Sequence, residues 1–110
     1  MGRSKTDILQ GMLDMLILKT LLDEPLHGYA IAQRLRLLSA DRLQVPQGSL
    51  YPALHRLENR GFAKGEWAET PTGREAKFYR LTPKGRRELD TQVAAWQELS
   101  GMIGSVLGIV

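Results

Sequence analysis

The sequence predicts a mainly α-helical fold that contains one β-hairpin, an α+β fold. Apolar residues recur three or four positions apart in three segments before Gly61, as they do in amphipathic helices. An extended pattern interrupted by a turn follows this glycine, and the pair Thr82-Pro83 then opens a long helix. The chain has 110 residues, which leaves room for one domain with a single core.

Two helices are predicted in the first part of the chain. The first covers residues 8–22 and ends before Pro25, because proline is not tolerated in a helix interior. Residues 26–28 are interpreted as a tight connection into a second helix that ends near Ser39. We expect Tyr29 of this helix to pack rather than to bind. The apolar face of the first helix comprises Leu9, Met12, Leu13, Leu16, Ile17 and Leu21.

A third helix is predicted from about Gly48 to Arg60. Gly61 is its stop signal, since glycine readily adopts the left-handed conformation that ends helices. Pro52 is tolerable only near a helix start, so the helix must begin within a few residues of Gly48. The face expected to enter the core carries Leu50, Leu54 and Leu57.

A β-hairpin and a final helix complete the chain. Residues 62–69 and 76–81 read as strands around a turn rich in Thr, Pro and Gly. Thr82 and Pro83 suit the N-cap and first position of a helix. Three short helices, a hairpin and a long last helix are the element order of a winged helix-turn-helix domain. We expect this domain over residues 1–82 and a C-terminal dimerisation helix over 83–110, in one compact unit.

Charge is concentrated in the middle of the chain. The formal net charge is +3, but residues 1–46 carry +1, residues 47–87 carry +5 and residues 88–110 carry −3. The basic middle segment contains the third helix and the hairpin. An anionic partner is therefore expected at these two elements.

Several classes of function are disfavoured by composition. Without cysteine, the chain cannot form disulfides or thiolate metal sites. His27 and His55 lie on separate elements, and no metal-ligand spacing, phosphate-binding glycine loop or acid-base pair is evident. We expect no catalytic residues, no metal and no cofactor. The N-terminal segment is not a signal peptide, and residues 99–110 are too short to span a membrane, so a cytoplasmic protein is expected.

The third helix and the hairpin supply the candidate DNA-binding residues. Small and polar side chains on the leading face of such a helix let its backbone approach base edges in the major groove. Glutamine can pair with adenine and arginine with guanine. A solvated helix face would show a similar pattern, but the basic hairpin favours DNA. The candidates are Gln47, Ser49, Tyr51, His55 and Arg56 on the helix and Arg74 and Lys77 on the hairpin.

Residues 47–61, QGSLYPALHRLENRG, resemble the recognition-helix segment of PadR-like transcriptional regulators. Residues 26–29 and 77–85 resemble the family's entry to the second helix and its strand-to-helix segment. The resemblance implies a cytoplasmic, dimeric winged-helix repressor that binds a pseudo-palindromic operator and is released by a small-molecule signal. It also places the candidate DNA-binding residues on the helix and wing that face DNA. Dimer symmetry then predicts recognition helices about 34–36 Å apart, or a multiple of this.

The last helix carries a heptad pattern of apolar residues, which predicts burial against a second copy of the chain. Three glycines oppose this prediction, because each costs roughly 0.8–1 kcal/mol of helix propensity relative to alanine. A membrane-surface role is disfavoured because the helix has no Lys/Arg-rich polar face. The residues expected at the dimer interface are Leu89, Val93, Trp96, Ile103 and Leu107, with Ser100 and Val110 in the same repeat.

Trp96 is also a candidate ligand contact. In some family members, aromatic residues at this helix line a hydrophobic cavity that receives flat ligands, so the resemblance implies a small aromatic or hydrophobic effector. Plain packing at the interface is the favoured interpretation of Trp96.

Two functions remain open from the sequence. The preferred one is a sequence-specific transcriptional regulator that binds double-stranded DNA. The alternative is a winged-helix protein-interaction module that does not bind DNA, since this fold serves both purposes. The basic hairpin favours the regulator, and an enzyme is the weakest hypothesis.

Overall fold

The computed structural model describes residues 5–109, with side chains from residue 12 onward. It confirms the predicted helices and hairpin and adds one short strand. In chain order the elements are α1 (Lys5–Thr20), β1 (Leu26–His27), α2 (Gly28–Leu38), α3 (Gln47–Asn59), β2 (Ala63–Glu69), β3 (Glu75–Leu81) and α4 (Pro83–Leu107). The strands form one antiparallel sheet in the order β1-β3-β2. This arrangement is a winged helix fold.

Helix α1 lies at the centre of the fold and contacts α2, α3 and α4. The helix is covered on more than one side. Ile17 lies on the predicted apolar face and Leu18 does not, yet both are fully buried. The helix ends at Thr20, two residues earlier than predicted, where the hydroxyl donates to the carbonyl of Ile17 at 2.6 Å. The predicted core position Leu9 lies outside the described side chains. The core is formed by Leu13, Ile17, Leu18, Leu21, Leu26, Ile31, Leu35, Leu50, Ala53, Leu54, Leu57, Ala63, Tyr79 and Leu89.

The prediction that Tyr29 packs is wrong. His27 caps α2, its Nδ1 accepting a hydrogen bond from the Ala30 amide at 3.2 Å, and this fixes the rotation of the first turn. In that rotation Ile31 and Leu35 face the core, whereas the Tyr29 side chain is 65% exposed. The segment before α2 also differs from the prediction, since Leu26 and His27 pair with β3 as a strand.

Helix α3 begins at Gln47 and ends at Asn59, one residue earlier at each end than predicted. Pro52 is its sixth residue, so the carbonyl four positions earlier, at Gly48, lacks its usual helix donor. Gly61 adopts a φ of +78° and ends the helix as predicted. Its amide bonds the carbonyl of Glu58 at 3.0 Å, and the Phe62 amide bonds that of Leu57 at 2.9 Å, which satisfies two free carbonyls.

Helix α4 begins as the sequence predicts. Thr82 is its N-cap and accepts a hydrogen bond from the amide of Gly85 at 3.0 Å, with Pro83 in the first helical position. The helix continues to Leu107, and Gly108 ends it with a φ of +73°. In the described part of the chain, no helix combines the length and apolar character needed to cross a bilayer.

Candidate nucleic-acid interface

A cleft of about 740 Å³ lies between the wing (strands β2 and β3 and the turn 70–74), helix α3 and the start of α2. It brings together residues that are far apart in sequence. Six of its fourteen lining residues carry an aromatic or imidazole ring, and the wing side adds an arginine and a lysine. The lining residues are His27, Gly28, Tyr29, Tyr51, His55, Trp67, Thr70, Pro71, Thr72, Arg74, Glu75, Ala76, Lys77 and Tyr79.

Helix α3 contributes Tyr51 and His55 to this cleft, whereas Gln47 and Ser49 lie outside its lining. The other face of α3 buries Leu50, Leu54 and Leu57, as predicted. This burial fixes the helix rotation so that Gln47 and His55 are exposed and Ser49 is half-buried. Three of the five candidate residues on α3 are therefore set on or beside its accessible face by the packing of the leucines.

Tyr51 both packs and faces solvent. It remains 41% exposed, yet its ring lies directly against α2. A β-carbon placed at Gly28 would lie 2.9 Å from the Tyr51 hydroxyl oxygen and 3.0 Å from Cε1. Gly28 thus permits the close approach of α2 and α3 at the rim of the cleft.

Arg56 is placed differently from the other α3 candidates. Its guanidinium forms an ion pair of 2.9 Å with the Asp14 carboxylate on α1. The contact joins α3 to the central helix of the fold. Arg56 is therefore held toward α1 while its side chain stays 41% exposed. Its predicted contact with DNA stays a prediction.

Lys77 is also paired. Its ammonium lies 2.9 Å from the Glu58 carboxylate of α3 and 5.6 Å from the centre of the Tyr79 ring. Both side chains of the pair are about one-third exposed or less, at 27% and 30%. From the sequence, Lys77 is predicted to contact DNA from the wing, and in the structure its ammonium is joined to the third helix.

Arg74 is the exposed cation at the tip of the wing. The turn that carries it is closed by two hydrogen bonds: the Thr70 amide to the Arg74 carbonyl at 2.7 Å and the Gly73 amide to the Thr70 carbonyl at 2.9 Å. Gly73 has a φ of +86°, a conformation that other residues rarely adopt. The turn therefore holds the Arg74 backbone in a defined place beside the cleft.

Within the described residues, the nine basic side chains of segment 47–87 fall into two groups. Arg56, Lys77, Arg80 and Arg86 each form an ion pair with a carboxylate. Because Lys77 is paired, the unpaired positive charge at the cleft is that of Arg74. The carboxylate of the neighbouring Glu75 also lines the cleft. No ion pair to a carboxylate involves the remaining five, Arg60, Lys64, Arg74, Lys84 and Arg87.

Two aromatic residues of the cleft were missed by sequence reasoning. Trp67 on β2 is 70% exposed, and Tyr29 on α2 is 65% exposed. Trp67 is the cross-strand partner of Lys77 and so lies on the same face of the wing. Side chains along β2 alternate between its two faces, so Trp67 lies on the same face as Ala63, four residues earlier. Ala63 is buried against the core, and this alternation could have indicated the face of Trp67.

The described residues contain no group of three or more His, Asp or Glu side chains arranged to hold a metal ion. The pKa of Lys77 is raised above its ordinary value of 10.5, mainly by the hydrogen bond to Glu58. The pKa of Tyr79 is raised above 10.0, mainly because burial disfavours the phenolate. Both groups therefore hold their protons more tightly in the folded protein than in the unfolded chain.

We expect the protein to lose stability in alkaline solution. Since the folded-state pKa values of Lys77 and Tyr79 are raised, their contribution is complete below the unfolded-state values and is lost as pH rises through the folded-state values. Urea unfolding from about pH 8 to about pH 11 measures the effect. Tyr79→Phe should weaken the decline above pH 10, and an unchanged decline in this variant would show that Tyr79 is not its source.

The residues expected at a dimer interface separate into two sets. Leu89 is only 4% exposed and belongs to the core of its own chain, and Val93 packs against that core. The predicted seam is thus wrong at Leu89, which α4 uses to attach to the domain. Trp96, Ile103 and Leu107 are exposed at 41%, 44% and 64%, while Val110 lies outside the described residues. Further exposed apolar side chains are Leu99, Met102, Val106 and Ile109.

Comparison with known proteins identifies the family. The model of the transcriptional regulator PadR-like family matches residues 17–91. Transcriptional regulator Rv3488 of Mycobacterium tuberculosis is 38% identical over 78 residues, which cover 71% of this chain and 69% of that protein.

Solved structures agree with this match. A transcriptional regulator from Clostridium thermocellum superposes with a TM-score of 0.82 at 26% identity, over 90% of this chain and 96% of that one. A PadR-like transcriptional regulator from Bacillus cereus gives 0.79 at 27% identity, over 92% and 96%.

The matched segment runs from the last turn of α1 through α3 and the wing to the first third of α4. It therefore includes every element that forms the cleft. Proteins of this family regulate transcription and are not enzymes, in agreement with the prediction from sequence. The chain belongs to the PadR-like family of transcriptional regulators.

Proposed function

We propose that the protein regulates transcription by binding a specific DNA sequence as a dimer, and that it acts as a repressor released by a small-molecule signal. One observation carries the DNA-binding part. Tyr51 and His55 of α3 and the Arg74 turn of the wing line the same cleft. A duplex with its major groove on α3 would place a flanking phosphate strand beside Arg74.

The residues proposed to contact DNA follow from their exposure. Gln47, Ser49 and His55 lie on or beside the accessible face of α3, with the exposed part of Tyr51 next to them. Hydrogen-bonding side chains at such positions read base edges. Arg74 meets the phosphate backbone, which contributes affinity but little sequence preference.

The exposed apolar side chains of α4 support the proposed homodimer. From Trp96 to Leu107 they recur three and four residues apart along one side of the helix. Burying such a stripe against a second copy removes it from water, which stabilises the dimer. Trp96 lies at the start of the stripe, so a flat hydrophobic effector bound between the two copies would contact it.

DNA binding is tested with purified protein and the DNA upstream of its own gene, compared with a scrambled duplex of the same length. Fluorescence anisotropy across a salt series measures affinity, and analytical ultracentrifugation of the complex measures stoichiometry. We expect a preference for the upstream duplex with two chains per site. The absence of binding at low salt would contradict the proposal and favour a protein-interaction module.

Arg74→Ala should weaken binding to every duplex by a similar factor. Loss of one phosphate contact lowers the slope of log affinity against log salt by about 1. Gln47→Ala should instead change the preference among duplexes. Arg86→Ala is the matched control, because it removes the same charge from a surface depression that shares no residue with the cleft. Equal salt slopes for wild type and Arg74→Ala would remove the wing tip from the interface.

A further inference from the structure

We propose that Lys77 and Glu58 are positioning residues, whose ion pair sets the wing at a fixed distance from the recognition helix. Lys77 in this role does not itself contact DNA. The inference rests on the proposed DNA binding. In it, the pair keeps α3 and the wing at the spacing that lets one chain contact a groove and the adjoining phosphate strand together.

The first support is the path of the Lys77 side chain. Gly65 on β2 pairs with Tyr79, which places Lys77 diagonally across from Gly65 on the same face of the hairpin. A β-carbon at Gly65 would overlap Cε of Lys77 and would lie 3.0 Å from Oε2 of Glu58. The space left by this glycine is therefore filled by the two members of the pair.

The second support is what the pair joins. Glu58 lies near the end of α3, whose leucines are buried in the core. Lys77 lies midway along β3, between the buried Tyr79 and the exposed turn with Arg74. On the Tyr79 side of Lys77 the hairpin packs on the core, whereas the residues on the side of the turn are largely exposed. Among the described residues, the pair is thus the outermost hydrogen-bonded contact between the hairpin and the end of α3.

The third support concerns the ion pair that would have to break if a DNA phosphate were to bind Lys77. A phosphate group would have to replace a carboxylate at 2.9 Å. The carboxylate itself is directed toward β2 and bears a negative charge that repels phosphate. Releasing Lys77 to DNA would leave this charge unpaired beside the bound duplex, which is unfavourable. The paired state neutralises Glu58 and keeps the cleft compatible with DNA.

Three single variants separate positioning from direct contact. Lys77→Met removes the cation, Glu58→Gln leaves it free, and Gly65→Ala displaces it while keeping both charges. We expect each to lower operator affinity about tenfold, the loss typical of one charge-assisted hydrogen bond. The salt slope should change equally in Gly65→Ala and Lys77→Met, because both variants act through the same contact of Arg74 with phosphate. The charge-swapped double variant E58K/K77E should recover affinity to within about threefold of wild type.

Direct contact by Lys77 predicts the opposite pattern. Glu58→Gln would then bind DNA more tightly, Gly65→Ala would bind normally, and Lys77→Met alone among the variants would lower the salt slope by about 1. Any of these three results overturns the proposal. A thermal melt of each variant checks that it is folded. Gly48→Ala is the control for glycine replacement in this melt, because a β-carbon at Gly48 meets nothing within 4 Å.

A readout without DNA keeps the inference independent of the proposed function. Backbone ¹⁵N order parameters of residues 66–76 in the free protein should fall in all three single variants and recover in the charge swap. Unchanged order parameters would contradict positioning. Wild-type protein that binds no duplex would overturn the proposed function, and the order parameters would still decide whether the pair holds the wing.

Discussion

Replacing Ile103 and Leu107 together by glutamate is expected to convert the proposed dimer into a monomer and to lower operator affinity at least about 100-fold. Both side chains are exposed on α4, one helical turn apart. Charges at these positions on two copies would face one another across a twofold axis and could not be buried without cost. A monomer then binds one half-site and loses the gain in affinity that comes from joining two half-sites in one complex.

The expected loss is specific to the apolar side of α4. Ala94 and Ser105 are exposed on the same helix, and Ser105 is two residues from both Ile103 and Leu107, hence roughly on the opposite side. The double variant A94E/S105E adds the same charge and should remain dimeric with normal affinity. Sedimentation equilibrium gives the oligomeric state of both proteins. A dimeric I103E/L107E protein would show that this stripe is not the interface.

The long elements of the fold could be predicted because their signals are local. The leucines of α3 recur with the helical period, and Gly61 and Thr82 end and begin helices through contacts with their immediate neighbours. Strand β1 could not be predicted in this way. It has two residues, and it is a strand only because Leu26 and His27 pair with Tyr79 and Phe78, about fifty positions later.

Burial against distant elements explains the errors at single residues. Leu89 and Ile103 fit the same heptad pattern, but Leu89 is 4% exposed in its own chain and Ile103 is 44% exposed. The pattern records that a side chain is apolar and on a given side of the helix. It does not record whether the covering surface belongs to the same chain.

The candidate site was predicted at the level of elements and less well at the level of contacts. The third helix and hairpin do meet at one cleft, which His55 and Arg74 line, whereas Gln47 is exposed on α3 outside its lining. Arg56 and Lys77 have the same charge as Arg74, but their carboxylate partners lie 42 and 19 positions away in sequence. Free and paired cations are distinguished only by such long-range contacts.

Gly85→Ala is expected to destabilise the protein by about 3 kcal/mol, at the upper end of the usual cost of overpacking. A β-carbon at Gly85 would overlap the carbonyl oxygen of Phe62 and lie 2.8 Å from its carbonyl carbon. These are backbone atoms, and the same oxygen accepts the Thr82 amide at 3.1 Å. Relief therefore requires α4 to move away from the end of α3 and the start of β2, which weakens the burial of Leu89 as well.

Gly101→Ala in the same helix is the matched control, since a β-carbon there meets nothing within 4 Å. This variant should be more stable than wild type by about 0.8–1 kcal/mol, the difference in helix propensity between the two residues. Urea unfolding at one fixed protein concentration measures both effects, because dimerisation makes stability depend on concentration. If Gly85→Ala lowers the free energy of unfolding and Gly101→Ala raises it, the loss at Gly85 comes from the close contact with the Phe62 carbonyl. If Gly85→Ala were as stable as wild type, α4 could not start as close to Phe62 as the structure places it.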